Sequence, residues 1–359
     1  MQDLYEAVRQ DPDDLSALNV LADWLSERAD PRGAFIHTQI QLEDPDLPAE
    51  RRAELKAQEA ALLAEHQRAW LGDLAALLLD TPRAWDAPQW QFRRGFLHTL
   101  DLRDITTERV EALAAAEERV FVRSFAVAFC WGDEDALDRL FDLTLPNVRR
   151  LTYGDGTGSL PEEGRAATLA SGMPRLEEIA VSGRSVETRG LFRQAMPALR
   201  ELTVSCARHY AVATLAGNAS LGQLQSIEFV PHARELDDDD RGYLTGEHVR
   251  MLARSPHLTA LKRLHLQGCT AGDAGCRELV ASGLLRRLEV LELPYGEVTD
   301  DGARALADGL GALKRIDLSG NSLTEAGVAA LKATGVALQA GNQEQWRPHR
   351  GYLAYGDCE

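Results

Sequence analysis

The sequence predicts an α/β repeat fold, in which short strands alternate with helices, preceded by a small all-helical N-terminal module. The first observation is that residues 261–321 contain three near-copies of one pattern. Each copy places leucine or isoleucine at the first, fourth and sixth positions, as in Leu261-Lys-Arg-Leu264-His-Leu266. The second observation is that an apolar helix pattern follows each copy, which gives a period of about 27 residues. A single strand and helix cannot bury their apolar faces alone, so we expect stacked copies to share one core.

The three copies resemble leucine-rich repeats, and in particular the ribonuclease-inhibitor-like class in which a strand alternates with a true helix. The other two copies occupy residues 288–293 and 313–318, and turn residues such as Cys269 and Asn321 follow the strands. The resemblance implies a leucine-rich repeat solenoid shaped as a horseshoe, with parallel strands on the concave face and helices outside. We expect the Asn or Cys side chain to turn inward and satisfy backbone groups of adjacent turns. The glycine in each Thr-x-x-Gly stretch should allow close packing where the helix begins.

The N-terminal module is predicted to contain three helices. The first covers residues 4–9, and the second is expected to begin at Asp11-Pro12, because an Asp cap followed by Pro at the first helical position is a start signal. Residues 30–33, Asp-Pro-Arg-Gly, predict a turn before the third helix. We expect an ion pair between Asp23 and Arg32 to hold that turn.

The motifs of this module resemble those of the bacterial repeat-companion domain. They are Asp11-Pro12-Asp13-Asp14, then Leu21-Ala22-Asp23-Trp24-Leu25, then Asp30-Pro31-Arg32-Gly33-Ala34-Phe35-Ile36. The resemblance implies a bacterial protein with a helical module in front of a repeat array. It indicates an architecture and assigns no activity.

The chain is expected to divide into four parts. These are a helical repeat-companion domain (1–45), a helical connector and N-terminal cap (46–94), a solenoid of about nine repeats (95–340) and a C-terminal cap (341–359). The connector should contain a helix over residues 48–72, followed over 81–94 by a linker or capping segment that covers the open end of the solenoid. Strand cores are expected at 97–102, 122–127, 148–153, 176–181, 199–204, 224–229, 261–266, 288–293 and 313–318. Helices are expected at 108–116, 134–141, 162–170, 189–195, 246–253, 275–281, 302–310 and 327–333.

Composition and charge exclude several classes of function. The formal net charge is −17, which argues against a general binder of nucleic acid, because such proteins need a basic face. The five cysteines are scattered and contain no CxxC pair, so we expect a reducing cytosol. The acidic, amphipathic first residues predict no secretory leader, and no apolar run in the sequence is long enough to span a bilayer. We therefore expect a cytoplasmic protein that does not bind membranes.

The sequence contains no catalytic or metal-binding motif such as HExxH, a Walker loop or GxSxG, so no catalytic residue, metal or cofactor is predicted. Four consecutive aspartates at 237–240 could hold a divalent cation, but they lack the alternating spacing of an EF-hand and are better explained as a solvated loop. The alternative function is a thiol-dependent enzyme that uses Cys206, near His209, or Cys358.

The predicted function is a non-enzymatic interaction scaffold that binds a protein partner, such as an enzyme that it regulates. A sharper version makes it the sensor or regulator of a bacterial signalling or defence enzyme. Charged side chains alternate with the strand leucines, and charged rows provide steering and register. The candidate concave-face residues are Glu228, Arg263, His265, Gln267, Glu292, Arg315 and Asp317. A second candidate surface is the long loop at 230–241, on the rim of the array, because insertions in solenoids often bind partners. Its candidate residues are Arg234, Asp237, Asp238, Asp239 and Asp240.

Overall fold

The structure is a computed structural model of the 359-residue chain. It describes residues 2–80, 88–103, 105–127, 134–154, 165–183, 186–206, 210–231 and 244–343. The chain divides into two compact units, residues 1–151 with 172–174, and residues 152–171 with 175–359. The boundary falls within β4 (Arg150–Tyr153). Our four predicted parts are a different division, and their boundaries remain predictions.

The first unit combines the N-terminal helices with the first strands of the array. Its helices are α1 (Gln2–Gln10), α2 (Leu15–Ser26), α3 (Pro31–Leu42), α4 (Ala49–Leu71), α5 (Leu74–Leu79), α6 (Thr107–Ala115) and α7 (Glu134–Phe141). Its strands are β1 (Gln89–Arg93), β2 (Phe96–Leu102) and β3 (Ser124–Val127). A short 3₁₀ helix covers Glu117–Phe121. Strand β1 pairs antiparallel with β2, and β2 pairs parallel with β3.

The three N-terminal helices share a hydrophobic core with the first strands. Leu18, Leu21 and Ile36 are fully buried in one cluster. Phe96 of β2 and Phe121 of the 3₁₀ helix belong to the same cluster. This packing removes apolar surface of both partners from water, which is the dominant favourable term in folding. The helices and the first repeat therefore form one folded unit.

Polar contacts join the same two parts. The buried Gln39 side chain donates to the Phe92 carbonyl (3.2 Å) and accepts from the Gly95 amide (2.7 Å). Asp13 contacts both Arg123 (3.2 Å) and Arg149 (3.1 Å), and Arg123 is almost completely buried. The contacts of Asp13 come from the loop between α1 and α2, so the Asp-Pro-Asp-Asp motif helps attach the helices to the array.

Three details of the N-terminal prediction were wrong. Helix α2 begins after Asp14, whose carboxylate accepts from the amides of Ser16 and Ala17, so Asp11-Pro12 lies in the preceding loop. The Asp-Pro start signal applies instead at Asp30-Pro31, which begins α3 rather than forming a turn. Asp23 contacts His37 (3.0 Å), and the guanidinium of Arg32 donates to the Trp70 carbonyl (3.2 Å), so these two residues do not form the expected pair.

The segment over residues 81–94 was predicted as a linker or a capping segment, and its described part contains a strand. Residues 81–87 lie outside the described residues, but Gln89–Arg93 form β1, an antiparallel neighbour of β2. An added strand occupies the backbone hydrogen-bonding groups along that edge of β2, which would otherwise need another partner. The segment thus covers the array through backbone pairing.

The second unit contains the regular repeats. Its helices are α8 (Ala166–Ser171), α9 (Thr188–Arg193), α10 (Val212–Ala216), α11 (Gly246–Ala253), α12 (Gly272–Ala281), α13 (Asp300–Gly309) and α14 (Glu325–Lys332). Its strands are β5 (Glu178–Gly183), β6 (Glu201–Cys206), β7 (Ser226–Pro231), β8 (Arg263–Leu266), β9 (Val290–Glu292), β10 (Arg315–Asp317) and β11 (Ala337–Gln339). Strands β5 to β11 pair in chain order and all are parallel. This alternation confirms the predicted α/β repeat fold.

Every predicted strand core overlaps a strand, but from β3 to β10 the strand begins later than the pattern does. Leu261 opens one copy of the pattern and β8 begins at Arg263, and likewise Leu288 precedes β9, which begins at Val290. The opening leucine lies in the turn before the strand and is fully buried. The first apolar residue of each of these repeats, leucine or valine, is therefore a buried residue of the turn.

Aspartate side chains connect the beginnings of successive helices in the last repeats. Asp273, in the first turn of α12, accepts from the Thr299 amide (2.8 Å), the Thr299 hydroxyl (2.7 Å) and the Gly302 amide (2.9 Å). Asp300 makes the same three contacts with Thr324 and Gly327. A Cβ atom on Gly302 would lie 2.5 Å from the Asp273 carboxylate. We call this arrangement the aspartate latch. It explains why the Thr-x-x-Gly stretch contains glycine, because any larger residue would collide with the aspartate.

We predict that Asp300→Asn lowers the free energy of unfolding by about 1 kcal/mol at neutral pH, because the amide replaces an acceptor of three hydrogen bonds. The hydrogen bond from the Thr324 hydroxyl, followed by that from the Thr324 amide, lowers the pKa of Asp300. A lowered pKa in the folded state means that the stabilisation is present above the unfolded-state pKa and is lost as the pH falls below about 4. Urea titrations at several pH values measure this.

The control for this prediction is Asp301→Asn, which removes an equal charge from the neighbouring residue, where the carboxylate pairs with Arg304 and is largely exposed. We expect that variant to lose less than about 0.5 kcal/mol. If the two variants lost equal free energy of unfolding, the hydrogen bonds of Asp300 would add no stability beyond the effect of its negative charge.

Candidate functional site

The candidate site lies on the face of the sheet opposite the buried apolar side chains of β7 to β10. We call it the charged sheet face and define it by Glu228, Arg263, His265, Glu292, Arg315 and Asp317. Parallel pairing brings these residues into two rows. One row contains Glu228, His265, Glu292 and Asp317, each opposite the next, and the other contains Arg263, Val290 and Arg315. Six of the seven predicted concave-face residues thus lie side by side on four neighbouring strands.

Glu292 is at the centre of the charged sheet face. It is only 8% exposed, although it carries a carboxylate. Its carboxylate oxygens lie 3.6 Å from Arg263 Nε, 3.4 Å from Arg315 Nη2 and 3.9 Å from His265 Nδ1. A charge that is withdrawn from water needs such partners, because its desolvation is otherwise costly. Glu292 therefore orients the two arginines.

His265 lies between two carboxylates. Its Nδ1 atom lies 3.2 Å from Glu228 Oε1, and an ionised carboxylate can only accept, so Nδ1 carries the proton. Its Nε2 atom is buried and has no hydrogen-bond partner among the residues that the structure describes. The Nδ1 atom of His265, on β8, therefore lies near a carboxylate of each neighbouring strand, Glu228 on β7 and Glu292 on β9.

The hydrogen bond from His265 lowers the pKa of Glu228, and a weaker hydrogen bond from Thr203 acts in the same direction. We predict that His265→Ala raises the pKa of Glu228, because it removes the principal cause of the shift. Because that pKa is lowered in the folded state, the stabilisation is present above the unfolded-state pKa and is lost as the pH falls through the folded one. An NMR titration of the Glu228 carboxylate carbon measures the change.

His257→Ala is the control for this titration, because it removes the same kind of side chain from the loop before β8, where the His257 amide donates to the Ser255 hydroxyl. Its Glu228 titration should match that of the wild type. An unchanged titration in His265→Ala would mean that solvent or another group sets the pKa of Glu228.

Two of the predicted contact residues, Gln267 and Asp317, are less exposed than Arg263 and Arg315, and their contact role remains a prediction. Gln267 is 8% exposed, so little of its side chain can reach a partner. The Asp317 carboxylate accepts from the Ser319 amide (2.8 Å) and so also holds the turn after β10. Asp317 is half-buried, which leaves part of its side chain at the surface.

Several predicted residues fall outside the described residues. Arg234, Asp237, Asp238, Asp239 and Asp240 of the loop rim, together with His209 and Cys358, belong to this group. Cys206 is described and is fully buried, so its thiol is not accessible to a substrate in this structure. Burial raises the pKa of the thiols of Cys269 and Cys276 to about 12, which makes both poor nucleophiles.

Two lysines at the edge of the charged sheet face were missed. Lys262 and Lys314 precede Arg263 and Arg315, and both contact Glu289, at 3.9 Å and 2.5 Å respectively. The signal was present in the sequence, because the dipeptide Lys-Arg occurs at the same position in two repeats. The site therefore has a second row of cations.

Within the described part of the chain, no group of three or more histidine, cysteine or acidic residues could hold a metal ion. None of the described helices combines the length and the apolar character that a membrane span requires.

Comparisons with known proteins give the fold. A crystal structure of a Bacteroides fragilis protein matches with a TM-score of 0.53 and 15% sequence identity, and covers 83% of this chain and 85% of that chain. A chain of the yeast Rad7–Elc1 complex has a TM-score of 0.43 and 15% identity, with coverage of 93% and 99%. A chain of the TLR13–ssRNA13 complex has a TM-score of 0.30 and 13% identity, with coverage of 67% and 38%. The first match shows a shared fold, and the other two are too distant to support an inference.

No protein-family model matches the sequence, and no curated protein matches it significantly.

Proposed function

We propose that this chain is a non-enzymatic recognition scaffold that binds a protein partner through the charged sheet face. The main support for the proposal is the arrangement around Glu292. Arg263, His265 and Arg315 all lie within 4 Å of this one buried carboxylate. Such a network holds the side chains in fixed positions before a partner arrives, which lowers the ordering cost of binding. Arginines of this kind are frequent anchors of protein interfaces.

The proposal includes the finer identity of the fold. The repeats are taken as ribonuclease-inhibitor-like leucine-rich repeats curved into a horseshoe, with the charged sheet face on the concave side. The helices α1 to α3 are taken as a repeat-companion domain. The spacing of the leucine pattern and the Asp-Pro-Asp-Asp motif support these assignments. A bacterial, cytoplasmic protein is the setting that the proposal assumes.

The test compares three tagged baits in a lysate of the native host: the wild type, Arg263→Gln/Arg315→Gln and Arg250→Gln/Arg304→Gln. The second pair is the control, because it removes the same charge from exposed helix positions where each arginine pairs with a neighbouring acid. A partner of the charged sheet face should be depleted about fivefold or more with the first pair and retained with the second. Equal capture by all three baits would count against the proposal. Each depleted protein is then purified and its Kd for the three baits is measured directly.

A further inference from the structure

Cations are the most exposed charged groups of the charged sheet face and its edge, although the chain as a whole carries a net charge of −17. Four cations and four acids lie there, and the cations project further into solvent. The exposed fractions of the cation side chains are 51% for Lys262, 47% for Arg263, 73% for Lys314 and 46% for Arg315, against 36% for Glu228, 36% for Glu289 and 11% for Glu292, and Asp317 is half-buried.

The contacts of the two arginines leave donors available. Arg263 approaches Glu292 only to 3.6 Å, which is longer than a strong hydrogen bond, and Arg315 lies 3.4 Å from Glu292 and donates to Gln339 at 3.2 Å. A guanidinium has five N–H donors, so each arginine retains several that face solvent. Guanidinium donors match carboxylate oxygens in geometry and bind them in pairs.

The distance between the cations sets the width of the surface that a partner can contact. Arg263 and Arg315 lie on β8 and β10 with Val290 of β9 between them, so their backbones are separated by roughly 10 Å. Lys262 and Lys314 repeat this spacing one residue earlier. The two arginines flank the half-buried Val290 and the two lysines flank Glu289, and one acidic segment in an extended conformation can cross both pairs.

We propose that the partner presents an acidic peptide segment, whose carboxylates bind Arg263 and Arg315 across β8 to β10. This inference rests on the proposed function and adds the chemistry of the partner. Glu292 stays in place beneath the arginines and holds them apart, and the partner's carboxylates take the solvent-facing donors. The net negative charge of the chain repels acids at long range, so the attraction of an acidic segment to this patch is local and comes from the four exposed cations.

The probes are a fluorescein-labelled peptide of alternating glutamate and glycine, the same peptide with glutamine in place of glutamate, and a short oligothymidylate. Binding is followed by fluorescence anisotropy at low ionic strength, about 50 mM, where exposed charges are weakly screened. The acidic peptide should bind the wild type, and its Kd should rise about fivefold or more in Arg263→Gln/Arg315→Gln. The control pair Arg250→Gln/Arg304→Gln should change its Kd less than about twofold. Circular dichroism confirms that each variant is folded.

Two results would overturn the inference: glutamate and glutamine peptides that bind equally, or an acidic peptide whose Kd is the same for wild type and sheet variant. A tighter, arginine-dependent binding of the oligothymidylate would also overturn it, and would assign the surface to nucleic acid. If the acidic peptide fails while capture from lysate still depends on Arg263 and Arg315, the partner's chemistry is wrong and the proposed function stands. If neither readout depends on these arginines, both fail.

Discussion

Replacing Asn321 with alanine should lower the free energy of unfolding by about 3–5 kcal/mol, because it leaves several buried backbone groups without partners. Asn321 is fully buried. Its side-chain oxygen accepts from the amides of Gly296 and Val298, both at 2.9 Å, and its nitrogen donates to the carbonyls of Leu293 (2.8 Å) and Ser319 (3.2 Å). The side chain thus satisfies two consecutive turns at once.

Urea unfolding followed by circular dichroism measures the loss, and hydrogen exchange at the Gly296 and Val298 amides locates it. Ser322→Ala is the matched control, because Ser322 is adjacent and exposed, and we expect that variant to change stability by less than about 0.5 kcal/mol. If both amides remained as protected in Asn321→Ala as in the wild type, water would be replacing the side chain and the predicted loss would not occur.

Replacing Gly95 with alanine should destabilise the first unit by about 2–4 kcal/mol. Gly95 has a φ of +85°, which L residues adopt at a cost. A Cβ atom at this position would also overlap Cγ1 of Ile36, a fully buried residue of α3. The substitution therefore adds backbone strain and forces apart the helices and the strands that share this core.

Gly335→Ala separates the two causes, because Gly335 has a similar φ of +80° but a Cβ atom there would meet no other atom within 4 Å among the residues that the structure describes. We expect this control to lose only about 1 kcal/mol. Thermal unfolding measures the loss of stability in Gly95→Ala, in Gly335→Ala and in the double variant Gly95→Ala/Ile36→Ala. The double variant should lose less than the sum of the single losses, since removing the Ile36 side chain relieves the overlap. Additive losses would exclude the overlap as the cause.

The positions of the strands could be predicted because their leucines recur with a fixed spacing. Their first residues could not, because Leu261 and its counterparts are buried in the turn and look like strand residues in the sequence. Strand β1 was missed because it pairs antiparallel and carries no leucine pattern. Helix α10 was missed because Val212–Ala216 is too short to show a helical period. Asp14 and Asp11 are both reasonable caps in the sequence, and only the packing of α2 decides between them.

The sequence predicted which residues belong to the candidate site, but not how far each side chain is exposed. Alternation with the leucines places His265 and Glu292 on the same face, and this follows from the period of a strand. How far each side chain projects depends on contacts between repeats, such as those that bury Glu292 beneath Arg263 and Arg315. These quantities arise from the tertiary structure and have no local sequence signal.

The aspartate latch has a direction along the chain. Asp273 holds the start of α13, and Asp300 holds the start of α14, so the latch ties each of these two helix starts to the repeat before it. Loss of α14 leaves α13 with its own Thr299 cap and with Asp273 in place. Loss of α12 removes three hydrogen bonds from the start of α13. Fraying in this region should therefore proceed from the C-terminal repeat backwards, one unit at a time, and refolding should restore the helix starts in the opposite order.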